Sequence, residues 1–136
     1  MIGKAIFADA ELEGANFVGA MGDGVDFSGA KLIAADLRQT KLGDVGFERA
    51  DLTKVNAHKA VLASPRFSDA NLSGASFRAA KMRGADFSGA ELFEADLRDA
   101  DLENAKLNGA KNRAQAKLGG ANLRGAEDDE KTSGGD

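Results

Sequence analysis

Every fifth residue along most of this chain is small and apolar, and two residues later stands a large apolar one. Alanine recurs at Ala5, Ala10, Ala15 and Ala20, again at Ala30, Ala35, Ala50 and Ala60, and without a break from Ala70 to Ala110. Of the 21 positions spaced by five from 7 to 107, all are Phe, Leu or Met except Gly22 and Ala57. A period of five suits neither an α-helix, at 3.6, nor one long strand, at 2. Within each five, the Ala and the Leu or Phe are two apart, so they point to the same side of a short extended segment. The polar residue between them points outward. The next two residues, often Ser-Gly or Arg-Gly, are where the chain turns. Each pentapeptide is one short side and one corner.

The choice between Phe and Leu sets the number of sides. Reading every twentieth residue gives Phe7, Phe27, Phe47, Phe67, Phe87 and Leu107, and the next side gives Leu12, Leu32, Leu52, Leu72 and Leu92. Like repeats at twenty, so four pentapeptides close one coil and like stacks on like. Residues 24–42 match 84–102 at 12 of 19 positions, an offset of 60, or three whole coils. The expected architecture is all-β, a solenoid of about six coils over residues 1–126, roughly 29 Å long at about 4.8 Å per coil.

These consecutive Ala-Asp/Asn-Leu/Phe units over residues 5–126 resemble the pentapeptide-repeat family. The resemblance implies a right-handed quadrilateral β-helix. It also raises a function, since some members bind DNA gyrase by imitating DNA.

Local departures carry their own expectations. Gly22 leaves a hole in the first coil and Gly22-Asp23-Gly24 reads as a loosened corner. Val55 with Ala57 exchanges large for small. Pro65 is expected to remove one ladder donor. An extra residue after Ala110 reads as a bulge in the last full coil.

Enzyme chemistry finds no foothold. One histidine (His58) and no cysteine exclude Ser-His-Asp, Cys-His and His-based metal arrangements. The segment Gly19 to Gly24 lacks the Lys-Ser/Thr of a phosphate loop. Paired acids such as Asp99 with Asp101 are the outward polar residues that the repeat requires. Asn71-Leu72-Ser73 matches a glycosylation sequon by coincidence, as no secretion signal is visible. No catalytic residue, cofactor or metal is expected. With no signal peptide and no transmembrane run, a cytoplasmic location is expected.

Charge bears on partners. Glu127 to Asp136 hold five acids and one base, which leaves 17 acids and 17 bases in residues 1–126. The segment 127–136 reads as an acidic disordered tail on a neutral body. A 29 Å imitation of DNA needs on the order of 17 net negative charges, at one per about 1.7 Å. The first side has Asp9, Asp26, Glu48, Asp69 and Asp86, but Arg49, Arg66 and Lys106 interrupt it. The bases do not cluster along the chain, so nucleic acid is not expected as a partner, and neither is a membrane. The leading expectation is a structural or protein-binding module with a protein partner. Gyrase mimicry is the alternative, and a consensus-like scaffold with no cellular task is a third reading.

One candidate interface stands out. The first coil has outward apolar residues at Ile6, Val18 and Met21, with Ile2 nearby, while Ile33, Val61 and Phe93 fall singly on other coils. Either the first group folds over the end as a private cap, or it forms an end-to-end homodimer through the N-terminal coil.

Overall fold

The computed structural model describes residues 4–128. Its backbone climbs as a four-sided parallel β-helix, held by ladders in which each rung pairs with the residue one coil away. The first side runs from Ile6 through Asp26, Gly46, Arg66, Asp86 and Lys106 to Glu127. The second runs from Glu11 to Lys111, the third from Asn16 to Lys117, and the fourth from Met21 to Asn122. On the fourth side three strands are long enough to name: β1 (Met21–Asp23), β2 (Lys41–Gly43) and β3 (Val61–Ala63), parallel in the order β1-β2-β3. Elsewhere a side is a single bridge between two corners. There the turns on either side take up the remaining residues.

The core is made of the inward pairs. Val25 to Leu107 supply a continuous buried set, with Phe27, Phe47, Phe67 and Phe87 fully buried. Their rings stack at centroid distances of 5.2, 5.2 and 5.0 Å with interplanar angles of 3°, 6° and 6°. Phe77, from the third side, meets Phe67 edge-on at 5.3 Å. A stack spaced by the coil rise fills the section without gaps, and offset or edge contacts suit the ring quadrupole. Val55 and Ala57 are both buried, as a volume exchange requires. Thr40 replaces an inward alanine, and its hydroxyl donates to the Leu37 carbonyl at 3.0 Å, so no donor is stranded.

Two expectations are corrected and one is extended. Most corners close with a turn hydrogen bond, as from Ala85 N–H to the Met82 carbonyl at 3.1 Å, but among the described residues 22–25, 42–45 and 62–65 have none. The loosened corner at Gly22 is therefore one of three, stacked on one edge and followed by Val25, Val45 and Pro65 where other coils have alanine. Pro65 consequently removes no ladder donor. Its carbonyl still accepts from Asp86 N–H at 3.0 Å. The inserted residue is not a strand bulge. The bridge offset grows from 20 at Glu91–Lys111 to 21 at Asp96–Lys117, and the extra length goes into a corner, where left-handed Asn112 leads into a 3-10 turn at Arg113–Gln115. At the last described residues Glu127 bridges Lys106 and Asp128 is buried. The rest of the expected tail lies outside the described residues.

Asp128 is buried on the last described coil. It occupies the Phe column, one rung beyond Leu107, and its carboxylate pairs with the Arg113 guanidinium, which follows the last rung of the Leu column at the inserted corner. Phe and Leu give way to an ion pair at the C-terminal end of the described coils.

Candidate interaction surface

Outward side chains divide into those that make the corners and those left over. Asp and Asn at ladder positions accept a hydrogen bond from the N–H two residues on, as Asp26 does from Ser28 at 2.8 Å, Asn71 from Ser73 at 3.0 Å and Asp96 from Arg98 at 3.1 Å. This local bond presets the turn, and it is why short acids and amides recur there. Asp36 and Asp96 also hold Arg38 and Arg98, each with a 2.7 Å contact. The acids are structural.

Their titration follows. The Ser28 hydroxyl and N–H hold the Asp26 carboxyl below its ordinary value, and Arg38, Arg98 and Arg83 do the same for Asp36, Asp96 and Asp101. A depressed carboxylate stabilises the fold above its unfolded value, and that contribution is lost as pH falls through the lower folded one. The urea midpoint is expected to hold between pH 7 and 5 and to drop below about pH 4, near the unfolded carboxylate value. A midpoint constant down to pH 2 would show that these bonds contribute nothing.

The acids of the first side are partly neutralised. Arg66 reaches across Gly46 to Asp44 at 2.7 Å and Glu48 at 3.0 Å. A Cβ at Gly46 would lie 2.5 Å from Glu48 Oε1 and 2.9 Å from Arg66 Nη2, so the missing side chain makes room for the bridge.

Of the residues singled out in the first coil, Ile6 is 78% exposed, Met21 48% and Val18 42%; Ile2 lies outside the described residues. They occupy the first side, the fourth side and the corner leading into the fourth, and so ring the coil rather than form a patch. Within the ring, Phe7, Leu12 and Phe17 pack on the core yet are only partly buried.

The surface that sequence reasoning missed is basic. Lys41 and Lys81 flank Val61 on successive rungs of the fourth side, and Arg38, His58, Lys59, Arg78 and Arg98 line the corner leading into it. Bases scattered along the chain gather in space because they are twenty apart. Writing the sequence in rows of twenty would have shown it.

Among the described residues no three His, Cys, Asp or Glu side chains are placed to hold a metal ion, and no helix is long and apolar enough to cross a membrane.

Comparisons with known proteins fit this geometry. The pentapeptide-repeat family matches in eight copies, over residues 5–39, 30–78 and 70–109. No curated protein matches at a significant level. Among solved structures, Rfr23 from the cyanobacterium Cyanothece is similar with 28% identity and a TM-score of 0.54, over 70% of this chain and 60% of its own. HetL from the cyanobacterium Nostoc, involved in regulating heterocyst differentiation, has 30% identity and a TM-score of 0.52, over 91% of this chain and 62% of its own. The chain thus spans about three fifths of either protein. QnrB1, a plasmid-mediated fluoroquinolone resistance protein, shares the fold at 20% identity with a TM-score of 0.65, over 96% of this chain and 83% of its own. The stacked sides, the twenty-residue rungs and these matches place the chain in the pentapeptide-repeat family, with its right-handed quadrilateral β-helix.

Proposed function

We propose that the chain is a non-enzymatic solenoid that works as a structural or protein-binding module. The observation carrying this reading is how many of the polar groups are used: Asp26, Asp36, Asp51, Asp86, Asp96 and Asp101 are committed to corners and ion pairs. What remains is an extended surface of fixed shape and charge, which is how solenoids recognise partners.

Gyrase mimicry is opposed by the Arg66 bridge across the acidic side and by the neutral body. DNA supercoiling by gyrase is expected to proceed unchanged with the chain in excess. Inhibition at low micromolar concentration, lost in high salt, would overturn the module reading in favour of mimicry.

The same proposal includes self-association through the first coil. Partly buried Phe7, Leu12 and Phe17 support it, ringed by Ile6, Val18 and Met21. Light scattering coupled to size exclusion at tens of micromolar is expected to give twice the mass of one chain. Val18→Lys with Met21→Lys should return it to one. A single-chain mass in the unmodified protein rejects the dimer, and a dimer that survives both lysines lies elsewhere.

A further inference from the structure

The basic patch has definite limits. It covers three rungs, with Arg38, Gln39 and Lys41 on the first, His58, Lys59 and Val61 on the second, and Arg78, Ala79 and Lys81 on the third. Its height is about 10 Å, two steps of the coil rise. These rungs bring five Arg and Lys side chains and no acid. Arg38 is held by Asp36; Lys41, Lys59, Arg78 and Lys81 have no ion pair among the described residues. Charges this close lie within about one Debye length at physiological salt and act together.

The middle of the patch is apolar. A depression of about 430 Å³ is lined by Gln39, Lys41, Lys59, Val61, Ala79 and Lys81, and Val61 is 39% exposed. A second hollow of about 460 Å³ adjoins it at Val61 and Lys81 and continues over Ala63 toward the Arg83–Asp101 pair, so the positive charge gathers around the first. An aliphatic side chain can rest there with positive charge on three sides.

Acids bound the patch. On the next coil Arg98 is held by Asp96 and is followed by Asp99, Asp101 and Glu103, the last two engaged by Arg83; Asp23 and Asp44, the latter paired with Arg66, stand at the far corner. A nucleic-acid duplex carries about one charge per 1.7 Å and does not stop after 10 Å, so it would run onto these carboxylates. An extended peptide, at about 3.3 Å per residue, crosses the patch in three or four residues.

We propose that the fourth side docks an acidic segment of a partner protein. An aliphatic side chain of that segment sits on Val61, and flanking carboxylates meet Lys41, Lys59 and Lys81. This rests on the reading of the chain as a protein-binding module and names the partner's chemistry.

The test uses the full chain and a short fluorescent peptide in which acidic residues flank one central leucine, followed by anisotropy. Binding is expected, weakened at least about tenfold by Val61→Asp, by Lys59→Glu with Lys81→Glu, and by serine in place of the peptide's leucine. All three protein sites are exposed, and unchanged circular dichroism verifies the fold. If the peptide binds the unmodified chain and the variants alike, the patch proposal fails while the module reading stands. If the peptide does not bind at all, the proposed partner chemistry is wrong. A DNA duplex that binds more tightly than the peptide, and is lost in the same variants, overturns both the proposal and the protein-binding reading.

Discussion

Replacing Phe47 by alanine is expected to cost about 3–5 kcal/mol, among the largest losses a single truncation can cause here. The ring lies between Phe27 and Phe67 at 5.2 Å on each side and is fully buried. Neither neighbour can close the gap, because the ladders fix the coil spacing. Its neighbour in sequence, Glu48, points outward, and Glu48→Ala should stay within about 0.5 kcal/mol, since exposed ion pairs such as Glu48–Arg66 contribute little. Urea unfolding of the two variants checks this. Equal shifts of the midpoint would refute the inward and outward assignment.

The second large effect is expected where the core ends. Removing one member of a buried ion pair takes the counter-charge from the other, at up to about 3–5 kcal/mol, whereas replacing both by apolar residues is often neutral. Arg113→Leu leaves the Asp128 carboxylate, whose side chain is 1% exposed, on the end of the Phe column. A terminal coil can open on its own in a solenoid, so the loss should appear locally. Hydrogen exchange at the Leu107 amide, which donates to Glu127 at 2.7 Å, is expected to accelerate on the order of a hundredfold. Arg113→Leu with Asp128→Leu should recover most of the protection. If the single variant leaves exchange unchanged, the pair does not hold the last coil. If the double variant is no better than the single, the lost counter-charge is not the cause of the loss.

These two predictions differ in how far the sequence carried them. Phe47 was readable in advance, because its role depends only on period: inward every five, like on like every twenty. The same arithmetic assigned the four sides and the outward placement of the acids. The Arg113–Asp128 pair was not readable. Its members are separated by an inserted residue that shifts the register, and Asp128 looked like part of a solvated acidic run. The open corners before Val25, Val45 and Pro65 were equally hidden. No single pentapeptide shows whether its turn closes, since Val55 donates to the Leu52 carbonyl at 3.0 Å while Val25 and Val45 make no such bond. The basic fourth side lies between these cases, written in the sequence but visible only once position 41 is known to lie near 61 and 81.

The sequence by itself therefore determined the architecture of this protein, because a strict period repeats one local environment until only one closure buries every Leu and Phe. Only the tertiary structure decided what breaks the period: which contacts the last described coil makes, and where corners open. Those outcomes arise from contacts between residues that are twenty apart or displaced by an insertion, and local pattern holds no record of them.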